Sequence, residues 1–89
     1  MKQRYLEVTF RRGKPFAAYL YLPRAPATKA ARTTDAGHGL RVDYDKAGTP
    51  IGIEITAPRA ITVSDLNEVR ARLGLSPVPV DEWAPLRAA

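Results

Sequence analysis

The side chains that could do chemistry are few and scattered. The chain has one histidine, His38, between two glycines, and it has no cysteine. Asp43, Asp45 and Glu54 fall on the polar face of a predicted β-hairpin, where carboxylate oxygens could bind a cation. However, Asp45 begins the predicted turn, and Glu54 is expected to face Arg41 on the neighbouring strand. One remaining carboxylate does not make a site, so we expect no metal and no cofactor.

Catalysis requires a base, a nucleophile or donors that converge on a developing charge. His38 has no carboxylate or cysteine at a useful spacing, and we expect it to be an exposed loop residue. The segment from Gly37 to Gly39 lacks the spacing and the lysine of a phosphate-binding loop. We therefore expect that the protein is not an enzyme, and no small-molecule substrate is evident.

Basic residues and tyrosines near the start of the chain suggest a binding surface. Residues 1–34 contain eight Lys or Arg residues and one acidic residue, whereas residues 35–89 contain six and eight. Aromatic rings on a sheet, with basic groups beside them, are a common way to hold single-stranded nucleic acid. The residues predicted to contact nucleic acid are Arg11, Arg12, Lys14, Tyr19, Tyr21 and Arg24. The alternative is that the tyrosines lie under the helix or the tail and that the positive surface is only solvated.

The C-terminal tail suggests a different kind of binding, to protein. Residues 75–89 are rich in proline, which stiffens the chain and lowers the entropy lost when it docks. The docked surface would be a groove of the protein itself or of a partner. The predicted anchors are Val78, Val80, Trp83 and Leu86. A protein partner or a homodimer is the leading hypothesis, and nucleic-acid binding is the alternative.

Length and composition limit the number of domains and the expected location of the protein. The 89 residues make a single domain, with a β-rich part at 5–56, a connector and helix at 57–74, and the tail at 75–89. No apolar run approaches the roughly twenty residues needed to span a membrane, so we expect no membrane association. The N-terminus lacks the apolar segment of a signal peptide. The expected location is the cytoplasm.

The first predicted hairpin spans residues 4–22, with its turn at 11–14. Apolar and polar residues alternate in both arms, which is the pattern of half-buried strands. In the first arm Leu6, Val8 and Phe10 share one side, and in the second arm Phe16, Ala18, Leu20 and Leu22 share one side.

The second predicted hairpin, at residues 39–56, contains a conflict of register. Matching apolar residues pairs Val42 with Ile53 and Tyr44 with Ile51. The turn that ends at Gly48 instead favours a three-residue loop, which pairs Tyr44 with Pro50. Burying isoleucines, at about 1.5–3 kcal/mol each, outweighs the turn preference. We therefore expect a longer loop or a bulge near residues 50–52.

A helix is predicted at residues 63–73, with a capping box between Thr62 and Asp65 and a stop at Gly74. Residues 23–39 read as a loop in which 29–34 could add a short edge strand. The predicted fold is α+β, an antiparallel sheet of four or five strands with the helix packed on one face and an extended tail. The predicted core consists of Leu6, Val8, Leu20, Val42, Tyr44, Ile53, Ile55, Leu66, Val69 and Leu73.

Two segments resemble a family of small bacterial and archaeal proteins that is known only as a domain of unknown function. The segment FAAYLYL at 16–22 is similar to its A-L-Y-I-R-L-type strand, and GLRVDYDKAGTPIGIEI at 39–55 to its G-x-x-x-D-Y-D-x-x-G-x-x-x-G-I-E-I hairpin. The matching residues are Gly39, Asp43, Tyr44, Asp45, Gly48, Gly52, Ile53, Glu54 and Ile55. The resemblance covers about residues 5–55. It implies a small β-rich domain without an established activity, and a companion of toxin-like proteins as one kind of role. Family members open with an acidic turn, where this chain has RRGKP.

Overall fold

The computed structural model describes residues 5–23 and 28–77, which form one antiparallel five-stranded sheet and one helix. Along the chain the elements are β1 (Tyr5–Arg11), β2 (Lys14–Tyr21), β3 (Arg32–Gly37), β4 (Leu40–Tyr44), β5 (Pro50–Ile55), a 3-10 turn (Pro58–Ala60) and α1 (Val63–Arg72). The order across the sheet is β1-β2-β5-β4-β3, so β1 and β3 are its edges. The predicted α+β class is confirmed, and the fifth strand lies at residues 32–37 rather than 29–34.

The hydrophobic core lies on one face of the sheet, because alternate residues of each strand point to the same side. Six of the predicted core residues are buried: Leu20, Val42, Ile53, Ile55, Leu66 and Val69. The other four are partly buried and pack against this cluster: Leu6, Val8, Tyr44 and Leu73. The helix contributes Leu66 and Val69, so the prediction that it packs on the sheet is confirmed.

The β4–β5 hairpin satisfies both registers by means of a bulge. Val42 faces Ile53, as the apolar alternation predicts, whereas nearer the turn Tyr44 faces Pro50. The predicted pairing of Tyr44 with Ile51 is therefore wrong, and of the two predicted alternatives, a longer loop or a bulge, the structure shows the bulge. Because the ladder shifts by one residue beside Tyr44, the turn keeps its favoured loop and Ile51 is still buried.

A second bulge, in the β1–β2 hairpin, was not predicted. Thr9 faces Ala17 and Phe10 faces Pro15, which leaves Phe16 as an extra residue of β2. The extra residue interrupts the alternation, so Pro15 is buried and Phe16 is 50% exposed. Phe10, near the end of its strand, is also 50% exposed. The regular alternation predicted for the second arm is therefore wrong at Phe16.

The ends of α1 follow the sequence signals closely. Thr62 Oγ1 accepts a hydrogen bond from the Asp65 N–H at 3.1 Å, and the Asp65 carboxylate accepts one from the Thr62 N–H at 2.9 Å. Gly74 adopts a φ of 76°, which ends the helix after its C-cap residue. The predicted capping box and stop are both confirmed. Among the described residues, no helix has the length and apolar character needed to cross a membrane.

Candidate functional site

Basic residues gather at the tip of the β1–β2 hairpin because only two residues join the strands. Arg12 and Gly13 have φ values of 55° and 77°, the positive values that a type I′ hairpin turn requires. This turn places Arg11 directly across from Lys14. Three cationic side chains therefore lie within four residues at one end of the sheet.

A fourth cation comes from a distant part of the chain. The 3-10 turn at Pro58–Ala60 packs against β2 with Pro58 buried, while Arg59 stays exposed. Arg59 lines the same cleft as Arg11 and Lys14. Sequence reasoning missed Arg59, because nothing in the short connector indicates the strand on which it packs.

The hairpin-tip cleft is an open depression of about 520 Å³, lined by Arg11, Arg12, Lys14, Pro15, Phe16 and Arg59. Among the described residues that line it, none is acidic, so no carboxylate in its lining neutralises the positive charge. The guanidinium carbon of Arg11 lies 4.3 Å from the centroid of the Phe16 ring. This distance is that of a cation–π contact, which holds the exposed ring beside the cations.

The two tyrosines predicted to join this surface lie elsewhere. The Tyr19 hydroxyl donates to Asp43 Oδ2 at 2.7 Å, and the Tyr21 hydroxyl donates to Glu7 Oε1 at 3.2 Å. Their rings contact each other edge to face, with centroids 4.7 Å apart. In the sheet register Tyr19 also faces Glu54. The structure therefore places both tyrosines among carboxylates, and neither lines the hairpin-tip cleft.

The three acidic residues that were considered as cation ligands form contacts within the fold. Asp45 accepts hydrogen bonds from the N–H groups of Ala47 and Thr49 within the β4–β5 turn. Asp43 accepts from Tyr19 and from Thr33. Glu54 faces Arg41 across the strands, as expected. Within residues 5–23 and 28–77 there is no group of three His, Asp or Glu residues that could hold a metal ion.

His38 lies against the start of the helix, a contact that the sequence did not indicate. Its Nδ1 is 3.8 Å from Asp65 Oδ1, and its Nε2 is 3.8 Å from Glu68 Oε2. The pKa of Asp65 is lowered from its ordinary value, mainly by the hydrogen bond from the Thr62 backbone, and His38 adds to this effect when it is protonated. This arrangement joins the β3–β4 turn to α1.

The remaining predicted site residues are Arg24, Val78, Val80, Trp83 and Leu86, and they lie outside the described residues. Comparison with known proteins adds no assignment. No family model, no curated protein and no solved structure matches this chain. The resemblance to the domain of unknown function stays a prediction.

Proposed function

We propose that the protein is a non-catalytic module that binds nucleic acid through the hairpin-tip cleft. The observation that carries this proposal is the meeting of Arg11, Arg12, Lys14 and Arg59 around one cleft with no acidic residue among its described lining. Guanidinium and ammonium groups are the usual partners of phosphate oxygens, and arginine can bind them with two parallel hydrogen bonds. A row of phosphates supplies the matching charge.

The distribution of charge favours the approach of a polyanion to the hairpin tip. The formal net charge of the chain is +5, which attracts a polyanion over a long range. Glu7, Asp43 and Glu54 lie around the tyrosines on the polar face of the sheet, and Arg41, which faces Glu54, offsets one of these three negative charges. The two other carboxylates repel phosphates there. A polyanion is therefore guided to the hairpin tip and away from the middle of the sheet.

Binding to a protein partner or to a second copy is the second candidate. It is favoured by the two sheet edges, since β1 and β3 each pair with a neighbour on one side only in the described sheet. An extended segment can add to such an edge through main-chain hydrogen bonds. The role as companion of a toxin-like protein belongs to this candidate.

The test compares two double variants that remove the same charge. Arg12→Asn with Arg59→Gln removes two cleft cations, and asparagine tolerates the positive φ of position 12. Lys29→Gln with Lys46→Gln removes two exposed cations that line a different depression. Fluorescence anisotropy with a labelled oligonucleotide of mixed sequence measures the dissociation constant over a series of salt concentrations.

We expect the logarithm of the wild-type affinity to fall linearly with the logarithm of the salt concentration, with a slope of about −3 to −4 for four phosphate contacts. The cleft variant should reduce the magnitude of this slope by about two, while the control variant leaves it unchanged. Equal effects of both variants, or no binding at low salt, would contradict the proposal. Equally tight binding of labelled polyglutamate would identify an acidic protein as the partner instead.

A further inference from the structure

The ring of Phe16 is exposed next to the cations of the hairpin-tip cleft. Half of this side chain is in contact with solvent, although a phenylalanine gains free energy when it is buried. The bulge that exposes it also makes it an extra residue of β2 and breaks the regular ladder. Such bulges often redirect a side chain beside a functional site.

The position of Phe16 matches the needs of a base-stacking platform. Its ring lines the hairpin-tip cleft together with four cations, and the Arg11 guanidinium lies 4.3 Å from the ring centroid. Stacking of bases on an aromatic ring, next to cations that follow the backbone, is how single strands are held without sequence preference. The ring and the cations are thus arranged for one nucleotide and its neighbouring phosphates.

Other aromatic rings in the described part of the chain fit this role less well. Tyr19 and Tyr21 contact each other and donate to carboxylates, which would repel the phosphates next to a stacked base. The Arg32 guanidinium lies 4.5 Å from the centroid of the Tyr44 ring, but Tyr44 packs against the core, and neither Tyr44 nor Phe10 lines the cleft. Among these described rings, Phe16 is therefore the one that is half exposed and lines the cleft of cations.

We infer that the hairpin-tip cleft binds single-stranded nucleic acid, with an unpaired base stacked on Phe16 and the flanking phosphates held by Arg11, Arg12, Lys14 and Arg59. The inference rests on the proposed function and specifies its ligand. A duplex is disfavoured because the faces of its bases are already covered by their neighbours. Stacking uses the face of a base and requires no hydrogen bond to its edge, so we expect little sequence preference.

The variants for the test are Phe16→Ala, Phe16→Leu and Phe16→Trp, with Phe10→Ala as the matched control. Phe10 is equally exposed, lies on the neighbouring strand and is not part of the cleft. Leucine keeps apolar volume at position 16 without an aromatic face. Circular dichroism and thermal melting verify that each variant is folded.

The probes are a labelled dodecameric oligothymidylate, the same strand annealed to its complement, and an abasic strand of the same length. For oligothymidylate we expect Phe16→Ala and Phe16→Leu to weaken binding by about 5- to 150-fold, while Phe16→Trp and Phe10→Ala stay close to the wild type. The salt slope should not change in the Phe16 variants. Phe16→Ala should have no effect on binding of the abasic strand, which has phosphates but no bases.

The outcomes separate this inference from the proposed function. If oligothymidylate does not bind even at low salt, both fail. If binding depends on salt and on the cleft arginines but Phe16→Ala behaves like Phe10→Ala, the proposed function stands and the stacking is refuted. Equal affinity for the duplex and the single strand would also refute it.

Discussion

The hydroxyl oxygen of Tyr19 lies 2.7 Å from Oδ2 of Asp43, a carboxylate two strands away across the sheet. Between these residues lies β5, and Gly52 is the residue of β5 that the tyrosine ring crosses. A Cβ atom built on Gly52 would overlap the Tyr19 hydroxyl and ring. The absence of a side chain at position 52 therefore allows a hydrogen bond that links β2 to β4.

Gly52→Ala should lower the free energy of unfolding by about 1–3 kcal/mol, because the added methyl group displaces the Tyr19 ring. Urea denaturation measures the change. In a Tyr19→Ala background the same substitution should cost much less, since the overlapping atoms are absent. An equal cost in both backgrounds would mean that Gly52 is required for its backbone alone.

Ile53→Ala should lower the free energy of unfolding by about 2–5 kcal/mol, because the side chain is fully buried in the core and its removal leaves a cavity. Phe10→Ala, at a half-exposed position, should change it by about 0.5 kcal/mol or less. Chemical denaturation of the two variants compares the sites directly. A loss for Ile53→Ala as small as that for Phe10→Ala would refute the assignment of the sheet faces.

The cap of α1 should weaken in acid. The pKa of Asp65 is lowered, mainly by the Thr62 N–H, so the ionised carboxylate stabilises the folded state above the unfolded pKa of about 3.9. This contribution is lost as the pH falls through the lowered, folded-state pKa. The difference in urea midpoint between the wild type and Asp65→Asn should therefore be fully present at neutral pH, begin to shrink below about pH 4 and disappear once the pH lies below the lowered folded-state pKa.

Glu68→Gln is the control for this pH dependence, because it changes a neighbouring acid of α1 and leaves the capping box intact. The difference in urea midpoint between Glu68→Gln and the wild type should not disappear in acid in the way expected for Asp65→Asn. A midpoint difference for Asp65→Asn that is constant down to the acid limit would show that the ionised cap contributes nothing to stability.

Truncation after Ser76 should lower the melting temperature. The chain after α1 contacts the rest of the domain as far as Ser76. Leu75 packs against the core, and the Ser76 carbonyl accepts a hydrogen bond from Arg70 Nε at 2.7 Å. We expect the removed segment to dock through Val78, Val80, Trp83 and Leu86. If it docks on a second copy, sedimentation should shift from dimer to monomer. An unchanged melting temperature and mass would contradict the prediction that the tail is an interaction arm.

Local patterns were sufficient for most of the fold. The alternation around Val42 and Ile53 predicted two strands and their buried face, and the spacing of Thr62 and Asp65 predicted the start of the helix. Each of these signals depends on residues that are close in sequence or on a period imposed by the backbone itself. The conflict of register near Tyr44 was also visible in the sequence, which left a longer loop or a bulge as its two solutions, and the structure contains the bulge.

The contacts between distant segments were decided only by the tertiary structure. Nothing near Arg59 indicates that its turn packs on β2 and adds a fourth cation to the hairpin tip, and nothing near His38 points to Asp65. The strand order determined that Tyr19 reaches Asp43 and not the basic residues. Phe16 became exposed because a bulge shifted its strand, and alternation alone cannot reveal such a shift. These outcomes depend on which packing of the whole chain has the lowest free energy, so no short segment contains them.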